Sequence, residues 1–184
     1  MQEEIRKILI ELGEDPSREG LRRTPLRYEE AMRFLTSGYD LKPEEFINGA
    51  IFQQDYDEMV TLRNIDFYSL CEHHLIPFFG KCHIAYLPKG RIIGLSKIAR
   101  IVEMFSRRIQ LQERLTTQIA ECLQETVKPL GVAVVVEGFH LCMAMRGVQK
   151  QNCWCVTSAM LGAFRNDPKT RNEFMKLVTA RPPS

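Results

Sequence analysis

Two short segments, Cys71-Glu72-His73-His74 and His140-Leu141-Cys142, carry two thiols and three imidazoles between them. Thiolate and imidazole together favour zinc over magnesium or calcium. Cys71 and His74 stand at a spacing able to chelate one ion from a strand end entering a turn, and Cys142 offers a further donor. Three protein ligands leave one tetrahedral position open, the arrangement in which a catalytic metal holds and acidifies a water. His73 is either a fourth ligand, as a structural site would require, or a proton carrier. Adjacent histidines rarely aim at one point, which favours proton transfer. Taken singly, Cys142 also reads as a buried small apolar residue and His140 as an ordinary polar strand residue. Taken together, the segments predict a hydrolytic metal site.

Periodicity indicates the elements that must hold these residues. Ile5, Ile8, Leu9 and Leu12 recur at helical spacing before Gly13, and Tyr28, Ala31, Met32 and Leu35 form a second stripe behind Thr24-Pro25, a cap and first-turn pair. With a short helix after Pro43, residues 1–52 are expected to form an N-terminal helical extension. Val60, Leu62, Ile65, Phe67 and Tyr68 then give β-rich sequence running into Cys71, and Phe78 to Leu87 reads as a second strand. Two helical faces follow. The first opens at Ser96 and carries Ile98, Ile101, Val102, Phe105 and Ile109; the second carries Leu115, Ile119, Leu123 and Val127. Val132 to Met145 and Cys153 to Phe164 read as two long strands, and Asp167-Pro168 opens a last helix. The order β-β-α-α-β-β predicts an α+β domain over residues 53–184, an antiparallel sheet with helices on one face. On such a strand His140, Cys142, Ala144 and Arg146 would share a face.

Other candidates are less specific. Ser96, Lys97 and Arg100 open a helix whose free amides attract phosphate, although a solvated basic face explains the same trio. Gln112-Glu113 at the next helix entry reads as dipole capping, or as a carboxylate able to accept two hydrogen bonds from a guanine edge. Cys153 and Cys155 flank Trp154 on one strand face without a histidine to complete a ligand set, and Cys82, His83 and Cys122 read as packing residues.

Length and charge narrow the classes. The 184 residues suit one domain, and a net charge of +2 excludes a general nucleic-acid binder, so any polyanion must meet a local basic cluster. No apolar run approaches the roughly 20 residues that span a bilayer, and the start lacks the apolar core of a secretory signal. Six cysteines beside histidines then read as thiols and ligands rather than a disulfide framework. A cytoplasmic protein with neither nucleic-acid nor membrane partner is expected.

The chain resembles the GTP cyclohydrolase I family. The resemblance rests on Glu14-Asp15-Pro16, Arg18-Glu19-Gly20-Leu21, Thr24-Pro25, Arg27 and Cys71-Glu72-His73-His74, in the family's order. It continues through Gly94-Leu95-Ser96-Lys97, residues 99–108, Gln112-Glu113-Arg114-Leu115-Thr116, residues 140–148 and Thr157-Ser158. It implies conversion of GTP and water to 7,8-dihydroneopterin triphosphate and formate, the entry step to folate and other pterins. It also implies the tunnelling fold, a homodecamer of two stacked pentamers, active sites between subunits and no redox cofactor. By position, Cys71, His74 and Cys142 would be zinc ligands, one ion per subunit, and His73 and His140 proton carriers. Glu113, helped by Gln112, would hold guanine; Ser96, Lys97, Arg100, Arg146 and Arg27 would hold the ribose triphosphate. One position departs: Glu30 stands where the family commonly has a lysine. A carboxylate beside a triphosphate is unfavourable, so either Glu30 points away or that contact is absent. Within the same fold the rival is an enzyme opening a related purine. A zinc nucleoside deaminase lacks its expected Pro-Cys-x-x-Cys here, and a zinc-stabilised interaction oligomer would show no nucleotide turnover.

Overall fold

A computed structural model describes residues 1–180. The N-terminal apolar stripes form helices α1 (Gln2–Glu11) and α2 (Thr24–Leu35), which pack on each other, with the Gln2 amide donating to Glu29 at 2.7 Å. Thr24, expected as a cap, lies inside the helix; Arg23 precedes it, and the Thr24 hydroxyl turns back toward the Gly20 carbonyl at 3.5 Å. A 3-10 turn (Ser37–Tyr39), helix α3 (Pro43–Ile47) and strand β1 (Ile51–Gln53) lead into the sheet region.

The long strands β2 (Val60–Cys71) and β3 (Pro77–Leu87) form the expected first hairpin, followed by short β4 (Arg91–Ile93), which pairs with β1. Helices α4 (Leu95–Ser106) and α5 (Gln112–Val127) come next, separated by a two-residue strand β5 (Ile109–Gln110). The second strand pair is β6 (Gly131–His140) and β7 (Trp154–Gly162), with the helical turn α6 (Leu141–Ala144) between them, and helical turn α7 (Ala163–Asn166) and helix α8 (Pro168–Thr179) follow. Asp167 caps α8 by accepting from Lys169 N and Thr170 N, as its placement before Pro168 predicts.

The five-stranded sheet runs β5-β2-β3-β6-β7, antiparallel except for the β2–β5 contact. This is the α+β order read from the sequence. Alternation along the strands separates two faces. Cys82, Ile84, Tyr86, Val132, Val134 and Val136 pack against Ile98, Ile101 and Val102 of α4 and Leu115, Ile119 and Leu123 of α5. Each such aliphatic side chain removed from water contributes about 1.5–3 kcal/mol. The opposite face is not bare, as helices on one face alone would leave it: Phe164 and Phe174 of α7 and α8 cover Ala85, Ala133 and Val135. Farther along that face Tyr68, Phe79, Phe139 and Trp154 form a cross-strand aromatic row with centroids 5.5–6.3 Å apart. Both sheet edges are open among the described residues: β7 has no outer neighbour, and β5 covers β2 only at Leu70 and Cys71.

Strand β6 stops five residues short of the expected Met145. The apolar run Leu141-Cys142-Met143-Ala144 continues the strand's composition but closes a helical turn, with Met145 N donating to Leu141 O at 3.0 Å. Cys82, His83 and Cys122 are buried as expected, and burial pushes both thiols upward. His83 faces a bulge between Leu62 and Ile65, where Asn64 at φ 60 directs its N–H to His83 Nδ1 at 3.3 Å. Its Nε2 has no hydrogen-bond partner among the described residues, and Glu137 is 3.9 Å away.

Burial therefore lowers the His83 pKa, with Glu137 opposing and Arg63 and Lys81 reinforcing. The unfolded chain binds a proton at His83 that the folded chain rejects, so stability is present above the unfolded pKa, about 6.5, and lost as pH falls below it. Replacing His83 by Asn, which keeps an acceptor for Asn64, should flatten this acid-side loss in urea unfolding series between about pH 6.5 and 5. An unchanged slope would assign the loss to other groups.

Candidate active site

Cys71 ends β2 and is buried. A tight turn follows: Cys71 N donates to Ile76 O at 3.0 Å and Leu75 N to Cys71 O at 2.8 Å, with Leu75 in the left-handed region at φ 54. The turn is tied down from the side, since Glu72 N donates to Gln110 O at 3.0 Å and the Glu72 carboxylate accepts from Arg114. His73 and His74 are exposed on this turn, and His73 Nδ1 lies 3.8 Å from Cys71 Sγ.

Strand β6 delivers His140 opposite Phe78 of β3, and the helical turn α6 folds Cys142 back beside it. Potential ligand atoms of Cys71, His140 and Cys142 all lie within 4.8 Å of one another. On a continued strand His140 and Cys142 would stand two residues, roughly 7 Å, apart. The helical turn is what gathers them. This Cys-His-Cys group can hold a metal ion, and its two sulfurs and one imidazole suit a borderline-soft cation. Burial, then the adjacent Cys71 sulfur, pushes the Cys142 thiol upward, as expected for two would-be anions facing each other, with Arg146 opposing.

The gathered imidazole differs from the one expected. His74, assigned as the third ligand by resemblance, points to Arg146, whose Nη1 donates to His74 Nε2 at 2.7 Å. His140, assigned as a proton carrier, occupies the position beside the thiols. Its ring stacks on Phe78 at 4.4 Å and 6°, and its Nε2 meets Gln112 Oε1 at 2.8 Å. Burial lowers the His140 pKa, with Glu113 opposing. Gln112 is itself buried, whereas Glu113 is exposed at the first turn of α5. Arg146 follows α6 rather than sharing a strand face with His140, and reaches the site from the far side of His74.

Two of the remaining anion candidates, Ser96 and Lys97, are not at this end of the molecule. Ser96 and Lys97 open α4 beside Ile93, whose N–H bonds the Tyr86 hydroxyl; Tyr86 pairs with Val60, the start of β2. Cys71 lies at the other end of the same strand, roughly 35 Å away at the usual rise per residue. Arg100 borders a cavity of about 230 Å³ with Asp66, Tyr68 and Arg107 along α4. Arg27 and Glu30 are both exposed on α2.

Three contributors escaped the sequence reading. Phe78 supplies the stacking surface for His140, Thr116 bonds Thr157 at 2.7 Å beneath Gln112, and Gly138 makes room for the Gln112 side chain. A Cβ on Gly138 would lie 2.2 Å from Gln112 Oε1. The available signal was a glycine inside a β-rich run, which marks the close approach of another group.

Comparison with known proteins gives the chain's family. The sequence model of the family described as GTP cyclohydrolase I matches residues 1–179. A GTP cyclohydrolase 1 of Alkalilimnicola ehrlichii is 60% identical over 173 residues, covering 94% of each chain. One from Synechococcus sp. (strain JA-2-3B'a(2-13)) is 59% identical over 174 residues, 95% of this chain and 76% of its own. The Drosophila melanogaster GTP cyclohydrolase 1 is 58% identical over 181 residues, 98% of this chain and 56% of its own. With a fold, a donor group and a whole-length match in agreement, the chain belongs to the GTP cyclohydrolase I family.

Proposed function

We propose that the chain hydrolyses GTP, releasing formate and forming 7,8-dihydroneopterin triphosphate, at a zinc site built on Cys71 and Cys142. The carrying observation is that a Cys-His-Cys donor group lies beside Glu113 and Arg146 in a chain matched to the family over nearly its whole length. His74 completes the ligand set by exchanging Arg146 for the metal, and His140 stays with Gln112 as a proton carrier. When bound, zinc supplies a Lewis acid that acidifies a water for attack on C8 of the purine.

The side chains supply recognition and proton transfer. The Glu113 carboxylate accepts from guanine N1–H and the exocyclic amine, placing the imidazole ring of the base toward the thiols. His140 and His73 give a proton to the departing ring nitrogen and take one back in the second hydrolysis, which frees formate. The ribose then rearranges and closes the pterin ring. This stage needs a held substrate and shuttled protons rather than new functional groups.

Ser96, Lys97, Arg100 and, from α2, Arg27 hold the triphosphate. The distance of Ser96 and Lys97 from Cys71 within one chain supports a site shared between subunits, with one subunit supplying the metal and base end and a neighbour supplying the phosphate end. Open sheet edges support closure into a ring, for which the family's stacked pentamers are the proposed form.

Zinc-loaded protein incubated with GTP should release formate and develop a pterin chromophore, while ATP, with an acceptor at N1 and no 2-amino group, should be at least about 100-fold poorer. Glu113→Ala should weaken GTP binding roughly 10- to 100-fold and spare zinc. Equal GTP affinity in the variant would move the base pocket elsewhere.

Metal analysis separates the two imidazoles. Cys71→Ala, Cys142→Ala and His74→Ala should lose zinc, whereas His140→Ala should keep it and lose at least about 100-fold in turnover. The reverse pattern for the two histidines would make His140 the ligand.

A shared site also predicts complementation. Lys97→Ala and Cys142→Ala proteins should each be nearly inactive, yet co-assembly should restore on the order of a quarter of the sites, those with both halves intact. No recovery in verified mixed oligomers would place the whole site in one chain.

A further inference from the structure

Gln112 is 2% exposed, and every polar atom of its side chain is engaged within the protein. Its Nε2 donates to Val136 O at 3.0 Å and Cys155 O at 2.8 Å, with Thr157 Oγ1 at 3.2 Å. Two backbone carbonyls can only accept, so they fix which end of the amide is nitrogen. The other end is therefore an acceptor alone, and it meets His140 Nε2 at 2.8 Å.

A hydrogen must lie between two such atoms, and only the imidazole can supply it. We propose that Gln112 is a positioning residue that locks His140 in the Nε2–H tautomer, leaving Nδ1 as the ring nitrogen that carries the lone pair. Its stabilising shell is specific. Phe78 fixes the plane of the ring, and Thr116 holds Thr157 through a 2.7 Å contact while itself bonding Gln112 O at the same distance. Gly138 leaves the Oε1 position free.

This differs from a role in binding the base, because Gln112 has no polar atom left to offer a ligand without breaking a buried bond. It deepens the proposed function, since the effect on turnover rests on His140 carrying protons; the tautomer itself does not. Locking one nitrogen removes the competing protonation state in which Nδ1–H would be unable to accept. Positioning bonds of this kind are typically worth about 10- to 100-fold in activity.

The test is magic-angle-spinning nitrogen NMR on sedimented zinc-loaded protein labelled with [15N]histidine, at a pH above the histidine range. Four histidines give few signals, and His140→Gln identifies the one of interest. Wild type should show a protonated Nε2 and an unprotonated Nδ1 at His140. Gln112→Met should mix the tautomers and lower kcat about 10- to 100-fold with little change in the KM for GTP. An Nδ1–H signal in wild type overturns the proposal without any variant. So does an unchanged tautomer in Gln112→Met, or a raised KM with kcat preserved. If His140 proves to be a metal ligand, its Nδ1 signal will report coordination while Nε2 stays protonated, which separates failure of the catalytic reading from failure of the tautomer lock.

Discussion

Everything at the site depends on the register of β2, β3 and β6. Leu70 pairs with Pro77 and Phe78 with His140, so the turn between the first two strands and the end of the third arrive at one place. Because side chains alternate, a slip of one residue between β3 and β6 would send His140 to the aromatic face, and one between β2 and β3 would displace Cys71 from its partners. The buried valines of β6 hold that register. Val132, Val134 and Val136 belong to the helix-covered core, and Ala133 and Val135 to the second core under α8, so both faces of the strand resist a slip. Chemistry at one end of the sheet is thus secured by packing along its length.

The sequence revealed much of this and missed the rest for identifiable reasons. The β-rich run into Cys71, the hairpin to Leu87 and the apolar stripes of α4 and α5 are local patterns that formed where periodicity placed them, except that α4 ends at Ser106 and Ile109, expected on its face, begins strand β5. Leu141-Cys142-Met143-Ala144 carried no local sign of a helical turn, because short apolar residues continue a strand as readily as they bend away from it. Which histidine stands beside the thiols was likewise not a local matter. It depends on the partners each ring finds across the fold: Arg146 for His74, and Phe78 with Gln112 for His140. Gln112 read as a helix-entry residue because its main contacts come from strands 24 and 43 residues farther along.

Two kinds of order meet at the Cys-His-Cys group. The interior, from Gln112 through Thr157 to Thr116, is closed: its polar atoms satisfy one another and admit little movement. The exposed turn at His73 and His74 is held mainly by backbone bonds and by the Glu72–Arg114 pair, and its side chains face outward. A rigid interior beside an adaptable turn lets one histidine keep its orientation while its neighbours respond to an incoming ion or anion.

The open edges of the sheet bear on the life of the chain during its synthesis. Unpaired strand groups on β7 and along most of β2 will accept any extended segment, whether from a sister subunit or from an unrelated nascent chain. The bulge near Asn64 interrupts one of those edges and makes it a poorer template for indiscriminate pairing. Productive assembly and aggregation are then concurrent reactions drawing on the same exposed groups. Yield during synthesis depends on which encounter comes first, so chaperone supply and expression rate govern how much protein is recovered even when each folded subunit is sound.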